Sequence, residues 1–196
     1  ENIGSYSYDD THNEKHIDDV LNLELVNVDL IRSKKFKVVL DAVNSTGGIL
    51  IPKLLEKLGV ECVELFCDPT GNFPHNPEPL PENLIEISKK VIDTNADLGI
   101  VVDPDVDRLA LVCEDGSMFG EEYTLVSVAE YVLSKTPGNT VSNLSSTRAL
   151  SDVTNKHNGN YFASSVGEVN VVEKMKDKNA VIGGEGNGGI IYPALH

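Results

Sequence analysis

Asp103, Asp105 and Asp107 stand at alternate positions in the run Asp103-Pro104-Asp105-Val106-Asp107-Arg108. Three carboxylates this close repel one another unless a cation lies between them. A backbone that curls around the run can bring all three onto one hard ion. Oxygen donors suit Mg²⁺ or Ca²⁺, and Mg²⁺ is commonly shared with a phosphate. Arg108 follows directly and offers a planar fork of N–H donors for phosphate oxygens. These residue types point to a metal acting on a phosphorylated ligand.

Two other readings of the same run need weighing. Counted from Asp103, Glu114 falls at the twelfth place, as in an EF-hand calcium loop, but the sixth place is Arg108 where that loop needs glycine. The flanks also read as strands, where an EF-hand needs helices. The second is the haloacid-dehalogenase phosphatase motif, an apolar strand leading into Asp-x-Asp. Val101-Val102-Asp103-Pro104-Asp105 matches its opening, and Asp107-Arg108 continues it differently. A nucleophilic Asp103 is kept as the runner-up mechanism.

The loop must be held by its neighbours in the chain. Asp97 to Val102 and Leu109 to Cys113 read as two strands flanking it like a hairpin, with Asp115-Gly116 as a turn beyond. Upstream, Ile17, Val20, Leu21, Leu25, Val28 and Ile31 recur at helical steps, giving a helical region from His16 to Ser33 broken once. Phe36 to Val43 reads as a strand, Ile49 to Leu58 as a helix ended by Gly59, and Glu61 to Phe66 as a second strand. Pro74, Pro77, Pro79 and Pro81 make a stiff passage, and Pro81 opens a helix from Glu82 to Thr94. Downstream, helices at Tyr123–Leu133, Ala149–Asn155 and Gly167–Met175 alternate with strands at Thr140–Asn143, Tyr161–Ser165 and Ala180–Gly183. Such alternation implies mostly parallel sheets with helices on both faces.

The 196 residues are 40% hydrophobic, enough for one large or two smaller cores. A net charge of -15 argues against nucleic acid and anionic membranes as partners, since long-range attraction has the wrong sign. No apolar run approaches the ~20 residues of a transmembrane helix, and no secretory pattern opens the chain. Cys62, Cys67 and Cys113 are odd in number without a CxxC, so neither a disulfide framework nor a zinc site is indicated. Cys62 and Cys113 read as small buried thiols inside strands. A reducing cytoplasm fits. His75, His157 and His196 lack metal-ligand spacing and read as solvated. The chain starts at Glu1 without methionine and stops at Pro193-Ala194-Leu195-His196, and both ends read as cut.

Four ordered stretches together resemble the α-D-phosphohexomutases (phosphoglucomutase, phosphomannomutase and phosphoglucosamine mutase). Asp103 to Arg108 resembles that family's metal loop, Asp-Gly-Asp-Gly/Ala-Asp-Arg, with Pro104 and Val106 in place of the small residues. Asn76-Pro77-Glu78-Pro79 with Pro81-Glu82-Asn83-Leu84 resembles the proline-rich passage before the metal strand. Ser165-Val166-Gly167-Glu168 resembles a loop that approaches the sugar. Gly183-Gly184-Glu185-Gly186-Asn187-Gly188-Gly189 resembles the sugar-binding loop.

The resemblance implies an α/β fold of two consecutive three-layer domains, with mixed, mostly parallel sheets flanked by helices. Residues 1–12 would be a lead-in, 13–117 the family's domain 2, and 118–196 most of its domain 3. Domains 1 and 4 of the same parent chain would be missing, and with domain 1 the phosphoserine of a Thr-Ala-Ser-His-Asn-Pro loop. The implied reaction moves a phosphoryl group between O1 and O6 of a phosphorylated hexose through a hexose 1,6-bisphosphate. Asp103, Asp105 and Asp107 would hold Mg²⁺, and Arg108 would steady the phosphoserine or the transferring group. Glu185 and Asn187 would read sugar hydroxyls. Glu168 would assist them or cap the helix that follows, while Ser145, Thr147 and Arg148 read more simply as capping residues at a strand-to-helix junction. The loops lean toward phosphoglucosamine mutase-like and archaeal-type phosphomannomutase members. A chain without the phosphoserine would be inactive alone, and a non-catalytic metal- or sugar-phosphate-binding module is the other alternative.

Overall fold

A computed structural model describes residues 4–195. The chain enters through two short helices, α1 (His12–Leu21) and α2 (Val28–Lys34), with the break between them where the helical periodicity is interrupted. Ile17 of α1 is fully buried, and α1 leans on the later helix α3 (Gly47–Lys57).

The first sheet comprises β1 (Lys37–Asp41), β2 (Glu61–Leu65), β3 (Leu98–Val102) and β4 (Leu109–Cys113) in the order β2-β1-β3-β4. β1 pairs parallel with β2 and β3, and β3 pairs antiparallel with β4. Side chains alternate across β1 as strand geometry requires. Val38 and Leu40 join Ile51 and Leu55 of α3 in one core, whereas Val39 joins Ile87 and Val91 of α4 (Ile85–Thr94) in another. A sheet covered on both faces follows. Burying Ile87 and Val91 contributes about 1.5–3 kcal/mol each.

Pro81 does not open α4. It starts a single 3₁₀ turn, Pro81–Asn83, and the α-helix begins at Ile85. Cys62 and Cys113 are only half-buried, because β2 and β4 are the edge strands of this sheet. The buried thiol is Cys67, and burial pushes it up to about 12. All three cysteines are free.

The second sheet is built the same way from β5 (Asn139–Asn143), β6 (Tyr161–Ser164), β7 (Ala180–Gly184) and β8 (Ile190–Ile191), ordered β6-β5-β7-β8. β6 and β7 lie parallel to β5, and β8 is antiparallel to β7. Helices α5 (Glu121–Lys135) and α6 (Ala149–Lys156) pack on one face around Leu125, Ala129, Leu150 and Ile182. Helix α7 (Glu168–Lys178) covers the other through Val171 and Met175. β8 is too short to show a period in the sequence. No helix among the described residues is long and apolar enough to cross a membrane.

In both sheets the third and fourth strands form an antiparallel hairpin. The Asp-rich loop joins β3 to β4, and the Gly-Glu-Gly-Asn-Gly loop joins β7 to β8. Asp103 directly follows the third strand of its sheet, and Glu185 directly follows the third strand of the other.

Candidate active site

The hairpin register Val102↔Leu109 leaves 103–108 as a tight tip. One carboxylate oxygen from each of Asp103, Asp105 and Asp107 lies within 4.8 Å of the others. Asp105 and Asp107 are exposed, whereas Asp103 is fully buried. Asp103 Oδ1 accepts the backbone N–H groups of Asp107 and Arg108, both at 3.1 Å, and Oδ2 accepts Arg108 Nε at 2.7 Å. Burial alone would raise the Asp103 carboxyl, but the backbone and guanidinium N–H groups of Arg108 outweigh it and hold it below the ordinary carboxylate range. The Asp107 carboxyl is raised to about 6 by desolvation and by the neighbouring Asp103 and Asp105 carboxylates. An all-oxygen donor set whose members repel one another fits a small hard cation. Asp103 uses three of its roughly four lone-pair sites, so it has room for one further bond.

The tip is braced from the first crossover. Ser45 Oγ and Thr46 Oγ1 donate to the Pro104 carbonyl at 2.7 and 2.9 Å. Val106 sits at φ +64°, a left-handed conformation that a β-branched residue rarely adopts.

Arg108 is committed on two sides. Its Nη1 donates to Glu78 Oε2 at 2.6 Å, in addition to the Nε bond to Asp103. Glu78 belongs to the proline-rich passage, and its role was not read from the sequence. The passage is anchored by His75, which corrects the expectation that this histidine is solvated. Its ring is 15% exposed, with Nε2 3.1 Å from Asp41 Oδ2 and Nδ1 2.8 Å from the Asn76 carbonyl. Asp41 is buried at the end of β1. Burial raises its carboxyl, while the Val43 N–H and the His75 ring pull it back. His157 is likewise mostly covered, 3.2 Å from Glu130, and His196 lies outside the described residues.

The second tip faces the first. Leu109 N donates to Gly188 O at 3.2 Å, joining the start of β4 to the Gly-rich loop. Gly188 lies at φ +92°, and a Cβ there would stand 2.3 Å from the Leu109 carbonyl oxygen, so only glycine permits the approach. Between the tips lies a cleft of about 180 Å³ lined by Asp107, Arg108, Glu168, Glu185 and Asn187. Asp103 and Asp105 belong to the aspartate tip beside that cleft rather than to its lining.

Glu185 Oε1 accepts Asn143 Nδ2 at 2.5 Å and Gly167 N at 3.0 Å. These bonds leave Oε2 for a ligand. Asn143, buried at the end of β5, was also missed. Its Oδ1 takes the hydroxyls of Ser145 and Ser146 at 3.0 and 2.7 Å. Asn187 Oδ1 accepts Gly189 N at 3.1 Å and so shapes its own turn, leaving the amide NH₂ as the donor on offer. Glu168 is the first residue of α7 and is exposed on the cleft wall. Ser145 serves Asn143 rather than a helix end, Thr147 Oγ1 takes a long 3.4 Å bond from Ala149 N, and Arg148 points into solvent with Asp152 at 3.8 Å.

Comparison with known proteins decides the family. The model for phosphoglucomutase/phosphomannomutase α/β/α domain II matches residues 14–116, and that for domain III matches 120–196. The chain belongs to the phosphohexomutases. A phosphomannomutase/phosphoglucomutase of Pseudomonas putida is 38% identical over 83% of this chain and 36% of its own length. A Methanopyrus kandleri protein named probable phosphoglucosamine mutase is 33% identical over 96% of this chain and 41% of its own. Among solved structures, a phosphoglucomutase/phosphomannomutase family protein of Burkholderia thailandensis superposes with TM-score 0.86 at 32% identity, over 98% of this chain and 41% of that one. This phosphohexomutase chain thus spans about two fifths or less of the length of these relatives.

Proposed function

We propose that the chain supplies the metal loop and the sugar-reading loop of a phosphohexomutase that interconverts hexose 1-phosphate and hexose 6-phosphate. The observation that carries this reading is the apposition of the two hairpin tips across one cleft, tied by the Leu109–Gly188 backbone bond. In this reading residues 13–117 and 118–196 correspond to the family's second and third domains, and the phosphoserine and the phosphate-gripping domain belong to other parts of a longer polypeptide.

Asp103, Asp105 and Asp107 would hold Mg²⁺, which when bound neutralises charge that develops on the transferring phosphoryl group. The chain's own residues do the positioning on which such chemistry depends. Arg108 offers its remaining N–H groups to phosphate oxygens. Glu185 Oε2 accepts from sugar hydroxyls, with the carboxylate fixed in place by Asn143 and the Gly167 N–H. The Asn187 amide donates to a hydroxyl oxygen of the same sugar. An aspartyl-phosphatase mechanism is not favoured by this geometry. A nucleophile must be accessible, and Asp103 is 0% exposed and held by three bonds.

The test is a coupled mutase assay on the parent polypeptide with glucose, mannose and glucosamine 1-phosphates, Mg²⁺ and a trace of the bisphosphorylated sugar. The isolated chain is the control. Turnover by the parent with silence from the isolated chain supports the reading, and the ranking of sugars names the substrate. A silent parent, or phosphate release by the isolated chain, overturns it.

A further inference from the structure

We propose that Glu78 is the positioning residue for Arg108, fixing the plane of its guanidinium so that the free N–H edge is presented to the cleft. One bond leaves a planar guanidinium free to swing, whereas a second bond to another of its donors fixes its plane. Here Nε is held by Asp103 Oδ2 at 2.7 Å and Nη1 by Glu78 Oε2 at 2.6 Å. Asp103 cannot be a dependable anchor by itself. It holds Nε through a single bond, which leaves the rest of the guanidinium free to swing. Glu78 supplies the second hold, on Nη1.

Glu78 is itself unusually well placed for an exposed side chain. Pro77 and Pro79 restrict the backbone on either side of it. Its N–H donates to Asn76 Oδ1 at 3.2 Å, and its carbonyl accepts Leu80 N and Asn83 Nδ2, both at 2.8 Å. The passage is then moored to β1 through His75 and Asp41. A surface ion pair built on a mobile loop orders little, but this one rests on a braced backbone.

The inference rests on the proposed function only for its kinetic arm. The first arm is ¹⁵N NMR of the Arg108 guanidinium in this chain, assigned with Arg108→Lys. Slow rotation about the guanidinium C–N bonds, with resolved Nη signals, is expected in the wild type. Averaged signals are expected in Glu78→Ala, with Glu78→Gln intermediate and the melting midpoint nearly unchanged. In the parent polypeptide, Glu78→Ala should lower kcat about tenfold or more with KM little affected. Adding it to Arg108→Ala should cost nothing further. Unchanged Arg108 signals in Glu78→Ala, or additive kinetic losses in the double variant, overturn the proposal. A parent without mutase activity overturns the functional reading instead, and the NMR arm then decides on Glu78 alone.

Discussion

At the scale of single residues, the three aspartates of the tip have separable duties. Asp103 is buried and satisfies two backbone N–H groups, while Asp105 has no such structural work. Asp105→Asn should therefore abolish any Mg²⁺-dependent rise in melting temperature while moving the metal-free midpoint by no more than about 2 °C. Asp103→Asn should cost about 2 kcal/mol even without metal, read as a lower midpoint in EDTA. If both variants behave alike, the division of duties is wrong.

His75→Ala removes one of the two bonds to the buried Asp41 carboxylate and should cost about 2 kcal/mol near pH 7. Burial raises the Asp41 carboxyl above its ordinary 3.8. Its contribution is thus fully present below that value and is lost as pH rises through the raised one. The penalty should shrink toward about pH 4, as urea denaturation at the two pH values would show. The aspartate triad could be read from sequence because its members are neighbours in the run. His75 could not, because it lies in a loop and its partner is 34 residues away at the end of β1, so nothing local marks the pairing.

At the scale of elements, strands and helices of the central sheets were legible because their apolar periods are complete. Misses fell at the margins. β8 has two residues, too few for any period, and α4 starts late because the residues after Pro81 first close a 3₁₀ turn, with the buried Leu84 between that turn and the helix. The tip itself carries a cost that only its backbone geometry reveals. Val106 stands in a left-handed conformation where a glycine or alanine is the family's usual choice. Val106→Gly should relieve that strain at the cost of greater freedom in the unfolded chain, for a net gain of about 1 kcal/mol. A higher urea midpoint at constant slope would show it, and a lower one would mean the valine side chain makes contacts worth more than its strain.

At the scale of the whole molecule, the candidate site depends on two hairpin tips meeting, and this could not be read from either tip by itself. The glycines of the second loop permit close backbone approach without saying what is approached. The structure names the Leu109 carbonyl and N–H as the neighbours of Gly188. Gly188→Ala should force the tips apart and destabilise the chain by about 2 kcal/mol, and on the proposed function it should weaken sugar-phosphate binding by the parent polypeptide at least about tenfold. Calorimetric titration would check the affinity and thermal melting the stability. Unchanged binding would mean the cleft forms without that contact.

Asp103 and Glu185 occupy the same station in two sheets of identical order, each the first residue beyond a third strand. Two copies of one scaffold thus hold different tools at a shared mounting point. On the proposed function, the choice of sugar can drift through substitutions at 185–187 and 189 while the aspartate tip stays untouched, provided Gly188 keeps its contact with Leu109. On that same reading, grafting a relative's 185–189 loop that keeps glycine at 188 would change which hexose is accepted without rebuilding the aspartate tip.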